Sequence, residues 1–293
     1  MRIWKFFLVL LFLAVPALTF AEQAKTVDEL TAMYDVNSCK ECHSQIYDEW
    51  SKSIHARSLI GTGSTMGAMK GMIDPALMKT FTKSGVKEIK DIKVEHFAYC
   101  FKCHLPQIKD ATDEVAQQLA KAILDGDKAT LEKVNINCLV CHNLKAIVHK
   151  WQDGEPEKGV VYGSKDGSHA DKVYKAMKKS VILEEVVMCG QCHGLGPNFE
   201  FPQPSQCATL YGSYLHAYIP ADGDETCQDC HMEKSGKGHT MPAYRDPDMV
   251  KMAVNVDIHA KGYKVLPRPG DLIPMAAVTV KIANKAGHRI PDG

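Results

Sequence analysis

An excess of either charge is missing from this chain: 35 Lys and Arg stand against 35 Asp and Glu in 293 residues. With no basic surplus and no blocks of like charge, nucleic acid is not an expected partner, and acidic or basic tails are ruled out. Beyond residue 21 no stretch is apolar enough to cross a bilayer, so no membrane span is expected after that point. No CxxC pair lacks a following histidine, and no CxxCK motif occurs. What is present is a heavy load of cysteine, 11 residues, beside 13 histidines.

The first residues, MRIWKFFLVLLFLAVPALTFA, set Arg2 and Lys5 before an apolar run from Phe6 to Phe20, with Thr19 and Ala21 at small, cleavage-compatible positions. This is the form of a secretory signal peptide over residues 1–21. An uncleaved anchor is the alternative; Pro16 and the small residues after it favour cleavage. The mature chain is expected to start near Glu22 and to be exported, to the periplasm or the outer cell surface. In an oxidising compartment cysteines ordinarily pair as disulfides, so an odd number makes their arrangement the central question.

Ten of the eleven fall in five copies of one pattern: CKECH (39–43), CFKCH (100–104), CLVCH (138–142), CGQCH (189–193) and CQDCH (227–231), here motifs 1 to 5. At this histidine content, five chance matches have a probability on the order of one in ten million, which favours haem attachment. The spacing has a chemical reason. Cysteines at i and i+3 share one face of a helical turn and can form thioethers with the two vinyl groups of a haem. The histidine that follows then offers its imidazole to the iron. On this reading Cys39, Cys42, Cys100, Cys103, Cys138, Cys141, Cys189, Cys192, Cys227 and Cys230 bind five c-type haems, and His43, His104, His142, His193 and His231 are the proximal iron ligands. Zinc is the competitor, but its CxxC half-sites pair at short, regular separations. Here the first cysteines are 61, 38, 51 and 38 residues apart and the half-sites are odd in number. Cys207 has no partner three residues away and reads as a buried or free thiol, with an intermolecular disulfide as the alternative.

Eight further histidines exceed the demand for five distal ligands. His55 follows in DEWSKSIHARSL, read as an amphipathic helix that reaches a neighbouring haem. His169 opens the helical-looking HADKVYKAMKKSVILEEVVM. His239 lies in a Gly/Pro-rich loop after motif 5, where backbone can approach a ring closely. His149, His259 and His288 are the remaining candidates, and His96 and His216, standing before motifs, rank lower. The surplus of histidine over methionine makes low-potential His/His ligation the default.

About 54 residues per haem (272 mature residues over five) are too few for separate pockets. The expected fold is mainly α with many loops, organised around stacked haems that replace much of the side-chain core. Residues 22–247 form the pentahaem domain, and 248–293 a C-terminal segment. TVDELTAMYDV is at best a short helix. GTGSTMGAMKGM (61–72) reads as a loop. ATDEVAQQLAKAILDG reads as a helix, with Val115, Leu119 and Ile123 at spacing four and Gly126 as its stop. DKATLEKV makes another short helix. Near the C-terminus, Val278, Val280 and Ile282 alternate with Thr279, Lys281 and Ala283, as in a short β-strand. Such an edge strand is expected to recruit a partner chain that completes the sheet.

With these residues in view, the chain resembles the cytochrome c-554 family, multihaem c-type cytochromes related to the tetrahaem electron carrier of ammonia oxidisers. It is similar also to multihaem cytochromes of metal-reducing bacteria. The matching elements are SCKECHSQIYDEWSKSIHARS (38–58), CGQCHG, CQDCHM with its His-bearing loop, and NKAGHRIPDG (284–293). CxxCH is common to all c-type cytochromes; the flanking W…S…HA pattern carries the specificity. The resemblance implies closely packed, mostly His/His-ligated haems that pass electrons between proteins. It implies His55, His169 and His239 as distal ligands and makes His288 of the GHRIPDG element a candidate. The expected function is electron transfer between redox partners, other cytochromes among them, without a substrate of its own. The alternative is a multihaem reductase of a small nitrogen or sulfur oxyanion such as nitrite, hydroxylamine or tetrathionate. A haem-rich structural subunit is the third reading.

Overall fold

The structure, a computed structural model, describes residues 23–61, 63–194, 209–265, 268–270 and 272–290. Cys207 and the expected signal peptide lie outside the described residues.

Thr26 starts the first helix, α1 (Val27–Met33): its hydroxyl accepts the Glu29 N–H at 3.1 Å, which satisfies a donor the helix leaves open. α2 (Asn37–Cys42) carries the cysteines of motif 1, and α3 (Ser44–Lys52) follows directly. The helix expected to reach His55 ends at Lys52; Ser53 is extended, and His55 opens a separate 3-10 turn, His55–Arg57. The Gly/Met-rich stretch is a helix, α4 (Gly63–Gly71), where a loop is expected. Met69 and, just beyond, Ile73 are buried, and that burial outweighs the poor helix propensity of its glycines. α5 (Ala98–His104) holds motif 2.

α6 (Asp113–Asp125) and α7 (Lys128–Glu132) form as the sequence predicts. Val115, Ala116, Leu119, Ala120 and Ile123 line one face of α6 and are fully buried. Gly126, at φ +73°, closes the helix in the left-handed region, where a residue without a Cβ fits best. Against this face pack Leu30, Ile73, Ile92 and Leu105, with Phe97 stacked on Phe101 at 4.5 Å. The core they build draws all its buried residues from Ala24 to Val134.

After residue 134 the chain is looser. α8 (Lys150–Asp153) is a single turn. β1 (Val160–Gly163), β2 (Gly167–Ser168) and β3 (Ala176–Lys179) make a small sheet in the order β1-β3-β2, with β1 parallel and β2 antiparallel to β3. The helix expected from His169 is therefore replaced by a turn and a strand. Asp171 Oδ1 accepts the N–H groups of Val173 and Tyr174 at 2.6 and 2.8 Å, a local bond that competes with helix formation. A 3-10 turn, Val181–Glu184, follows, and α-helix resumes at α9 (Val186–His193), which contains motif 4. α10 (Leu210–Ser213) and α11 (Pro247–Ala253) precede a long antiparallel hairpin, β4 (Val254–Val265) and β5 (Ile273–Asn284). The fold is mainly helical with many loops and a C-terminal β segment, as expected. β4 is the addition: Val256 pairs with Ile282, Ile258 with Val280 and Ala260 with Val278. This apolar face is open, with Ile258 65% and Ile282 69% exposed.

Candidate haem-binding site

Each motif lies on a turn of helix, so its two thiols share a face and its histidine follows on. Motifs 1, 2 and 4 use α2, α5 and α9; motifs 3 and 5 run into wider turns, Val140–Leu144 and Asp229–Lys234. Local caps start two of them. Asn137 Oδ1 accepts the Leu139 N–H at 3.1 Å at motif 3. At motif 5, Asp229 accepts the Thr226 N–H at 2.7 Å while the Thr226 hydroxyl accepts that of Asp229 at 3.1 Å, a reciprocal cap.

Four motif histidines face a second histidine from elsewhere in the chain. His43 faces His169, with ring centroids 6.4 Å apart and planes at 11°. His142 faces His239 at 6.5 Å and 23°, and His231 faces His288 at 6.3 Å and 11°. His193 and His55 are 6.1 Å apart with planes crossed at 85°. With a metal–nitrogen bond of about 2 Å and about 1.1 Å from nitrogen to ring centre, an ion held between two imidazoles separates the centroids by about 6.3 Å. All four spacings fit an iron between the rings, and the paired thiols beside each fit haem attachment. Among the described residues no three His, Cys, Asp or Glu side chains converge into a cage for a bare metal ion.

Backbone carbonyls fix several of these rings. Nδ1 of His142 is 2.8 Å from Tyr162 O, that of His231 2.8 Å from Pro242 O, and that of His169 2.9 Å from Tyr174 O. His288 Nδ1 lies 2.9 Å from Arg289 O, and His104 Nδ1 3.0 Å from Ser58 O. A carbonyl only accepts, so each of these Nδ1 atoms carries the proton and leaves Nε2 free to ligate. Burial, with His193 and His104 close by, pushes His55 down to about 4. Burial likewise lowers His193 and His239. These imidazoles are neutral at neutral pH, the form that binds iron.

The W…S…HA stretch after motif 1 explains the reach of His55. The Trp50 indole N–H donates to Ile136 O at 2.8 Å, and Ile136 N–H donates to His55 O at 3.1 Å. Ser53 Oγ accepts the Ala56 N–H at 3.2 Å and so caps the short turn that presents the ring. Ser58 then joins His104 twice, through its hydroxyl to His104 O at 2.7 Å and through its carbonyl to His104 Nδ1.

The motifs lie side by side. Cys39 is beside Cys138, Cys103 beside Cys192, and Cys189 beside Cys227. Gln191 Nε2 donates to Lys145 O at 2.7 Å, which ties motif 4 to the turn after motif 3. Gln228 Nε2 donates to Leu183 O and Glu185 O at 3.0 and 2.9 Å, which ties motif 5 to the entry of motif 4. Motif 4 thus borders motifs 2, 3 and 5.

All 13 histidines lie among the described residues. His149 and His259 are exposed, the latter opposite Thr279 on the polar face of β4. His96 Nδ1 accepts the Lys93 N–H at 2.9 Å, and His216 is exposed. No second histidine ring lies opposite His104; Met72 Sδ sits 3.0 Å from Cys100 Sγ at the same motif. The carbonyls of Ser58, Tyr162, Tyr174 and Pro242 have no sequence signal, because any residue type supplies a carbonyl.

The family described as cytochrome c554 and c-prime matches residues 38–143, a span that holds motifs 1 to 3. The match is a resemblance of this span, less than half of the chain, to c-type cytochromes. No curated protein and no solved structure matches the chain. Among the described residues no helix is long and apolar enough to cross a membrane.

Proposed function

We propose that this chain is an exported multihaem c-type cytochrome that holds five haems and passes electrons between redox partners, other cytochromes among them. The observation that carries the reading is the set of four histidine pairs whose ring centroids stand 6.1–6.5 Å apart. Cys39 and Cys42, Cys100 and Cys103, Cys138 and Cys141, Cys189 and Cys192, and Cys227 and Cys230 attach the groups. His43, His104, His142, His193 and His231 are proximal ligands, and His169, His55, His239 and His288 are distal ones. Bound haem supplies one-electron redox chemistry at a potential set by ligands and burial. The chain fixes five of these rings, His104, His142, His169, His231 and His288, through Nδ1 and keeps neighbouring motifs in contact. The N-terminal apolar run supports export, to the periplasm or the outer surface. The open apolar face of β4 and β5 supports a partner chain that completes this sheet.

One observation favours the second reading, a reductase of a small nitrogen or sulfur oxyanion: His104 has no histidine opposite it. Mass spectrometry of protein made in a host that matures c-type cytochromes is expected to find five haems per chain; fewer defeats the count. Carbon monoxide added to the reduced protein then decides between the readings. Binding at one haem, with turnover of nitrite, hydroxylamine or tetrathionate, favours the reductase. No turnover leaves the carrier.

A further inference from the structure

His239 faces His142 from an unusual setting. The loop that carries it, Gly236 to Pro242, turns through three left-handed residues: Gly236 at φ +66°, Gly238 at +48° and Met241 at +44°. Unlike the rings of His142, His169, His231 and His288, the His239 ring has no carbonyl on its Nδ1; the nearest partner is Glu49 Oε2 at 3.9 Å, beyond hydrogen-bond range. Something other than the ring's own bond must therefore hold it in register with His142.

We propose that Glu49 is the positioning residue for His239, an inference that rests on the haem reading above. Glu49 lies on α3, 190 residues earlier in the chain. Its Oε2 accepts the His239 backbone N–H at 3.0 Å, and its carbonyl accepts the Thr240 hydroxyl at 3.2 Å. Gln45 Nε2 donates to Oε1 at 3.1 Å, so the carboxylate is held from both sides. The approach is close enough to require glycine before the histidine: a Cβ at Gly238 would stand 2.2 Å from Glu49 Oε2. Both ends of the loop are tied separately, the first by an ion pair of Lys237 with Asp246 and the last by Pro242 O to His231 Nδ1 at 2.8 Å. Glu49 thus secures the middle of the loop, His239 and Thr240, and it makes the helix after motif 1 part of the site at motif 3.

The test reads spin state in the mature protein, by electron paramagnetic resonance and the optical bands of ferric haem. His239→Ala sets the full effect, one haem in five turned from low-spin to high-spin. Glu49→Ala is expected to produce part of that same change with haem content unaltered, and the double variant to match His239→Ala alone. Glu49→Gln, whose amide oxygen still accepts the N–H, is expected to keep the wild-type spectrum. Glu49→Met, equal in length and without an acceptor, is the substitute if the alanine variant does not mature. Wild-type spin state in both Glu49→Ala and Glu49→Met, with five haems present, overturns the assignment of Glu49 and leaves the haem reading intact. A wild-type chain without haem overturns both.

Discussion

Residues 24–134 and residues 135–290 are held in different ways. The first part closes over a continuous apolar core around α6, with Leu119, Ile123, Phe97 and Phe101 fully buried. Among the described residues the second part has small clusters, Ala146 with Val160 and Tyr162, and Leu139 and Tyr174 with Val36 of the first part. Yet it supplies three of the five motifs and three of the four histidine rings that face a motif histidine. The difference teaches that one chain can close part of its length over side chains and leave another part to be organised by other means; on the proposed haem reading, cofactors do this in the second part. The sequence expectation of a core largely replaced by haem does not hold for the first part, which closes over its own apolar core.

The largest effect that would sharpen this contrast comes from haem removal. Cys189→Ser with Cys192→Ser, at the motif that borders three others, is expected to abolish amide protection across residues 135–290 while α6 stays protected. Hydrogen exchange read by mass spectrometry checks it, and equal protection in both parts would break the comparison. Next, Leu119→Ala removes a fully buried side chain and is expected to cost about 2–5 kcal/mol in denaturant unfolding, with the haem spectra of the folded protein unchanged. A subtler difference lies within the pairs. The crossed planes of His55 and His193 are expected to give a more anisotropic low-spin resonance than the three near-parallel pairs, so two kinds of low-spin signal are expected at low temperature. The smallest effect is Lys133→Ala, which breaks an exposed 2.7 Å ion pair with Asp28. It is expected to cost less than about 1 kcal/mol.

Legibility followed the same division. Motif chemistry is local, five residues long, and could be read at once. So could α6, because Val115, Leu119 and Ile123 repeat at helical spacing and Gly126 ends the run. The stretch 61–72 misled because Met69 and the Ile73 that follows it become core residues only through tertiary packing. The 169–188 stretch misled because one side-chain bond at Asp171 redirects the backbone. β4 was legible and passed over: Val254, Val256, Ile258 and Ala260 alternate as plainly as the strand that pairs with them. The partner of each motif histidine could not be read. His55 stands 12 residues past His43 and faces His193, a choice made by the hydrogen bonds of Trp50 and Ile136 and by no pattern in sequence.

That crosswise pairing sets a timetable. When the chain emerges from its N-terminus, motif 1 waits for His169, motif 3 for His239 and motif 5 for His288. Motif 4 alone meets a ring already delivered, since His55 precedes it. On the proposed ligation, a chain delivered across the membrane only as far as residue 195 would hold both rings for motifs 1 and 4 and one for motif 3, and the last pair closes only when His288 arrives.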